Sequence, residues 1–226
     1  MTLRFVQAPS PNFNDRLHPL DMLVLHYTGM ENGPAALARM RDPAAEVSAH
    51  YMVEEDGTVF VLVPEGKRAW HAGRSRWQGD EDLNSRSVGI EIVNGGHDFG
   101  LPPFPDVQVE AVIELCRDIL SRWPIPQDRI VGHSDIAPDR KQDPGERFPW
   151  KRLAEAGVGR WPDLHAPAAD AEIAEALFAI GYDLSGDNGS LEDVVRAFQR
   201  RWRPQAATGE VDAETAAMIR SLAVNG

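Results

Sequence analysis

Two histidines, one acid inside an apolar run and one acid in a turn are the residues of this chain that could do chemistry together. His26 and His133 each close a short apolar stretch, MLVLH and RIVGH, and ligands of open α/β sheets gather beyond the carboxyl ends of such strands. Two imidazoles at neighbouring strand ends are either satisfied side chains capping the sheet or two ligands of one metal. Asp143 follows His133 by ten residues, in a DPG turn that leaves the same strand end, so its carboxylate can turn back toward the pair. Two histidines and one aspartate with a fourth position open is the donor pattern of catalytic rather than structural zinc. No HExxH helix is present, which excludes a zincin-type peptidase.

Glu91 stands inside VGIEIV, where an ionised carboxylate is costly to bury. A desolvated carboxylate holds a proton more readily, so Glu91 is a candidate general base; otherwise it points to solvent from an edge strand. Lys141 lies two residues before Asp143, on the same side of an extended loop. A cation beside a metal ligand suits a site where an oxyanion develops. Cys116 falls on the apolar face of a helix and is read as a small core residue. His97, in NGGHDFG, and His165 are read as solvated.

The elements that must position these groups follow from periodicity. MLVLHYT (22–28) is a continuous apolar run of strand length, which predicts burial on both faces of a central sheet. Gly33-Pro34 opens a short helix that Pro43 ends. Asp56-Gly57 between two strand-like runs predicts a hairpin, because glycine accepts positive φ without steric cost. Residues 64–86 show no sustained period and are read as one long loop carrying Trp70, His71 and Trp77. SVGIEIVN (87–94) and DRIVGH (128–133) read as strands. Val109, Val112, Ile113, Cys116, Ile119, Leu120 and Trp123 recur at helical spacing, which predicts an amphipathic helix over the sheet.

The fold class expected is therefore α/β, a mixed central sheet flanked by helices, over residues 1–160. From Trp161 the composition turns to Ala, Pro and Asp and only helical patterns remain, so 161–226 reads as a small all-helical module. Sixty-odd residues bury a modest core, and this module is expected to lean on the first.

Composition narrows the function classes. With 226 residues, 42% hydrophobic and 26% charged, the chain is of globular type, and its formal charge of −12 offers no basic footprint for nucleic acid or anionic lipid. One cysteine allows no internal disulfide. No apolar run nears the roughly 20 residues needed to span a bilayer, and the opening MTLRFVQAPSPNFNDR lacks the pattern of a secretory leader, so a cytoplasmic protein is expected.

LVLHYT, SAHY with its DGTV hairpin, AWHAG, LNSRSVGIEI and GHSDIAPDRKQDPGERFPW, in this order, resemble the zinc-dependent N-acetylmuramoyl-L-alanine amidases of the Amidase_2 type, in their AmiD-like, AmpD-related branch. LFAIGYD, VVRAFQRRWRP and TGEVDAET are similar to the helical peptidoglycan-binding-like module of that branch. The resemblance implies a fold shared with peptidoglycan recognition proteins, zinc on His26, His133 and Asp143, Glu91 as base and Lys141 as oxyanion donor. It also implies substrate contacts from His50, Trp70, His71 and Trp77. The reaction implied is cleavage of the lactyl–L-alanine amide in peptidoglycan fragments such as anhydromuropeptides. Because the opening shows no leader pattern, a role in cell-wall recycling is expected. The working unit expected is a monomer. The rivals are a non-catalytic peptidoglycan-recognition module and an exported envelope-remodelling amidase.

Overall fold

The central strand is the apolar run MLVLHY, and its neighbours explain why it shows no polar alternation. In the computed structural model, which describes residues 2–164, 169, 171–184 and 188–224, eight strands form in chain order. They are β1 (Phe5–Gln7), β2 (Phe13–Asp15), β3 (Met22–Tyr27), β4 (Tyr51–Val53), β5 (Val59–Val61), β6 (Lys67–Ala69), β7 (Ser87–Ile92) and β8 (Ile130–Gly132). The main sheet runs β1-β5-β4-β7-β3-β8. Strands β4, β7, β3 and β8 are mutually parallel, while β5 returns antiparallel to β4 through the Asp56-Gly57 hairpin. With parallel partners on both sides, β3 has neither face nor edge in water, which selects apolar residues at every position.

Side chains alternate across β3. Leu23 and Leu25 point to one face, where helix α3 (Asp106–Arg122) buries Val109, Val112, Ile113, Cys116 and Ile119 against them and against Val88, Ile90 and Ile92, with Trp150 and Leu153 of α5 (Trp150–Glu155) in the same cluster. Each such side chain contributes about 1.5–3 kcal/mol of burial. Met22 and Val24 point the other way, with Val131, and meet three helices from the end of the chain: α6 (Ile173–Ile180), α7 (Leu191–Trp202) and α8 (Ala213–Ala223). Helix α7 starts at Ser190, whose hydroxyl accepts from the Asp193 N–H while Asp193 accepts from the Ser190 N–H, a reciprocal cap. Helices α6, α7 and α8 thus close a core that the sheet begins: Leu177, Val194, Phe198 and Ile219 share one cluster with Met22, Val24 and Trp77. Helix α1 (Gly33–Arg41), capped by the Asn32 side chain, covers Met52 at the far end of the same face.

The structure adds to the sequence reading in one place and departs from it in two. The Pro- and Asn-rich opening supplies β1 and β2. The stretch 64–86 is not one loop: β6 pairs antiparallel with β2, and Leu83–Arg86 forms a single helical turn, α2. Elements this short carry no period a sequence window can register. Finally, His133 does not end β8 but opens a one-turn helix, α4 (His133–Ile136). His165 lies outside the described residues.

Candidate active site

Parallel register brings the acid and the first histidine together. His26 on β3 pairs with Glu91 on β7, and in-register residues of neighbouring parallel strands point to the same face. On the other side Leu25 pairs with Gly132, so His133, one residue on, falls beside His26. Gly132 is needed there, because a Cβ would lie 2.8 Å from Cδ of Pro144. The loop carrying Asp143 is tied back by the Ser134 N–H, which donates to the Asp143 carbonyl at 2.9 Å.

The three side chains meet in a triangle. His26 Nδ1 and His133 Nδ1 are 3.0 Å apart, and Oδ2 of Asp143 lies 3.0 Å from each. All three residues are buried, and among the described residues they are the one set of three or more His, Cys, Asp or Glu that could hold a metal ion.

Hydrogen bonds behind the triangle fix where the ring protons sit. His133 Nε2 donates to the Ala72 carbonyl at 3.0 Å, which leaves Nδ1 as a lone pair. The Ser87 hydroxyl gives its proton to the Leu83 carbonyl at 2.6 Å, so it accepts from His71 Nε2 at 3.3 Å. His71 Nδ1 then accepts from His26 Nε2 at 3.0 Å, and His26 Nδ1 too is left with a lone pair. Three electron-rich atoms thus face one another with no proton between them, an arrangement that a divalent cation stabilises and that two neutral imidazoles and a carboxylate would ligate. Electrostatics agree: burial, then His133, pushes His26 down to about 4. Burial opposes ionisation of Asp143, yet the two histidines hold it below the ordinary carboxylate range.

Around the triangle opens a groove of about 400 Å³ whose wall includes Glu91, Lys141, Trp70 and His71. Glu91 is half-buried, and its Oε2 has no hydrogen-bond partner. Burial, reinforced by the charge of Asp143, pushes its carboxyl well above the usual range. The Lys141 ammonium forms no ion pair with any described residue.

The four expected substrate contacts divide. Trp70 and His71 line the groove, and His71 additionally orients His26. His71 lies flat against β7, where only glycine fits, since a Cβ on Gly89 would stand 2.5 Å from the imidazole. His50 and Trp77 do not reach the groove. His50 is fully buried: its Nδ1 accepts from the Gly89 N–H at 2.9 Å and its Nε2 faces the Lys67 carbonyl at 3.0 Å. Trp77 packs edge-on against Tyr182 and donates to the Asp128 carbonyl at 3.0 Å, deep in the second core. Tryptophan in an irregular segment has the same sequence appearance whether it lines a groove or fills a core.

Other groove residues were not singled out from the sequence. Tyr27 OH lies 3.0 Å from His97 Nδ1, and His97 Nε2 lies 3.0 Å from Glu146 Oε2, a chain along the rim; His97 is thus not simply solvated. Its signal was present, since NGGHDFG leaves the carboxyl end of β7 as the other site segments leave their strands.

Three donors that could hold a metal ion, beside a carboxylate oxygen with no partner, at the strand ends of a mixed sheet, fit the metal-dependent hydrolase class. The family model described as N-acetylmuramoyl-L-alanine amidase, Amidase_2, matches residues 16–146. N-acetylmuramoyl-L-alanine amidase AmiD of Escherichia coli is 38% identical, over 98% of this chain and 86% of that protein. Its solved complex with anhydro-N-acetylmuramic acid-L-Ala-D-γ-Glu-L-Lys superposes with a TM-score of 0.81, covering 91% of this chain and 89% of that one. The AmpDh3 structure from Pseudomonas aeruginosa in complex with anhydromuramic pentapeptide is 36% identical, with a TM-score of 0.82 over 91% and 92%. The chain belongs to the Amidase_2 family of N-acetylmuramoyl-L-alanine amidases.

Proposed function

We propose that this protein hydrolyses the amide between the lactyl group of N-acetylmuramic or 1,6-anhydro-N-acetylmuramic acid and L-alanine, releasing stem peptides from peptidoglycan fragments for recycling. The observation that carries the reading is the proton-free triangle of His26, His133 and Asp143, opening on the groove that Glu91 and Lys141 line. His26, His133 and Asp143 would hold zinc. Zinc bound there supplies a Lewis acid for the amide carbonyl and lowers the pKa of a water nucleophile toward about 7.

The remaining steps fall to this chain's own side chains. Glu91 accepts the proton of the attacking water on its carboxylate, aided by the burial that makes it more basic, and passes it to the leaving nitrogen of L-alanine. Lys141 offers an uncommitted ammonium to the oxygen on which negative charge develops. Trp70 supplies an apolar wall for the substrate. All these residues come from one chain, which supports a monomer as the working unit. The relatives solved with anhydromuropeptides support a substrate of that kind, and the place of action proposed for it is the cytoplasm. Among the described residues no helix is long and apolar enough to cross a membrane.

The test is mass spectrometry of products after the zinc-loaded protein meets anhydro-N-acetylmuramyl tripeptide, beside intact sacculi and a chelator-treated sample. Free stem peptide from the fragments, lost with chelation, is expected. Glu91→Ala should abolish turnover with zinc still bound; full activity would remove Glu91 from the reaction. No release from either substrate would favour a recognition module, and fractionation of cells separates a cytoplasmic enzyme from an exported one.

A further inference from the structure

The most enclosed charges outside the triangle lie where α7 meets α4. Arg201 and Asp135 are 4% and 1% exposed, and Nη1 donates to Oδ2 at 2.9 Å. The guanidinium is stacked between two indoles, Trp150 at 4.2 Å and Trp202 at 4.4 Å, and its Nη2 donates to the Ile130 carbonyl of β8 at 2.9 Å. Asp135 is used at both oxygens. Oδ1 accepts from the Tyr182 hydroxyl at 2.7 Å, and Oδ2 also accepts from the Gly132 N–H at 2.8 Å.

Burying this pair is expensive as a stability device. Arg201 Nε finds no partner, and a well-packed apolar pair of the same volume commonly serves stability as well or better. What a buried ion pair does supply is a fixed direction, and here the direction is that of the metal site. Asp135 caps the first turn of α4, and the first residue of α4 is His133. The same turn holds the other ligand loop, through the Ser134 N–H to the Asp143 carbonyl. The Ile130 carbonyl ties the arrangement to the strand from which His133 departs.

We infer that Arg201, with Tyr182, is a positioning residue of the metal centre, acting through Asp135 to hold the α4 turn so that His133 and Asp143 present their donor atoms together. Both residues come from the helical segment after Trp161. That segment is then a component of the metal site and not solely a cover for the sheet. Pairing across this distance gives the helical segment a role in metal affinity that no contact between it and the substrate would supply.

The inference rests on the reading that the triangle binds zinc, and the experiment separates the two. Zinc affinity is measured by chelator competition on the full chain at a temperature where every variant is folded, and cobalt is substituted to read ligand geometry from its visible spectrum. Arg201→Lys, which keeps the charge but loses the planar fork, should weaken zinc binding about 10–100-fold and alter the cobalt spectrum. Tyr182→Phe should weaken it less, in the same direction. Arg203→Ala, which breaks exposed ion pairs to Asp212 and Glu214 on the same helical segment, should leave both readouts unchanged. A merely structural role would lower the unfolding temperature of Arg201→Lys with parental zinc affinity and cobalt spectrum, and that result overturns the inference. If Arg201→Lys does not fold, Tyr182→Phe decides alone: parental affinity overturns, weakened affinity supports. Parental protein that takes up no zinc would instead sink the metal reading itself.

Discussion

One face of the sheet is covered chiefly by α3 and the other by helices from the far end of the chain, and among the described residues the most deeply buried charged groups lie on the second. Facing α3, β3 and β7 present Leu23, Leu25, Val88, Ile90 and Ile92, and the helix answers with Val112, Cys116 and Ile119. On the opposite face the strands begin the same way, with Met22 and Val24, and end in His26 and Glu91. Behind these sit His71, Asp135 and Arg201. The first face tolerates any side chains that fill the volume. The second must hold three donor atoms within 3.0 Å of one another, and it does so with directional bonds.

The largest break in that contrast comes from one of the three donors. His133→Ala should leave a folded protein that retains no zinc after gel filtration and turns over at background, read by elemental analysis and product mass spectrometry. His133 is 3% exposed and donates to the Ala72 carbonyl, so the apo unfolding temperature should also fall, with the protein still folded at the assay temperature. Lys141→Ala is the next largest. Zinc content should be unchanged and kcat should drop by about 10²–10³, the usual cost of one oxyanion donor. A kcat within twofold of the parent would make Lys141 a bystander.

The mirror-image substitution belongs to the α3 face. Ile119 is fully buried there, and Ile119→Ala should cost about 2–5 kcal/mol in urea unfolding, with kcat per folded molecule and zinc affinity unchanged. Loss of zinc affinity at full folding would mean the two faces are coupled after all.

The same contrast governs how much was legible beforehand. The α3 face could be read because its signal is periodic and local: seven apolar positions at helical spacing define a stripe with no knowledge of its partner. That His26, His133 and Asp143 come together could be read because the two histidines close apolar runs and Asp143 sits in a turn that has to return. The support behind them could not. Asp135 and Arg201 are 66 residues apart, and no local pattern says that an arginine on an amphipathic helix turns inward between two indoles. His50 and Trp77 failed for the related reason that a polar or aromatic side chain in a loop does not reveal which way the loop folds.

His50 offers the smallest and most graded test, because it supports the functional face without touching the groove. Its Nδ1 accepts from the Gly89 N–H, so the neutral ring carries its proton on Nε2, toward the Lys67 carbonyl and with the Arg16 guanidinium 2.9 Å away. Burial, then Arg16, pushes the ring down to about 3, against an unfolded value of 6.5. A base whose folded pKa is depressed takes up its proton in the unfolded chain first, so it destabilises the fold as pH drops below 6.5 and down toward 3. Above 6.5 both states are neutral and the effect vanishes. Within that window His50 should contribute up to about 1.4 kcal/mol of lost stability per pH unit. His50→Gln should therefore flatten the acid limb of a urea-midpoint profile by about one proton while leaving the limb above pH 7 parallel to the parent. An unchanged acid slope would show that His50 is protonated in the folded protein, and that the Gly89 N–H has lost its acceptor.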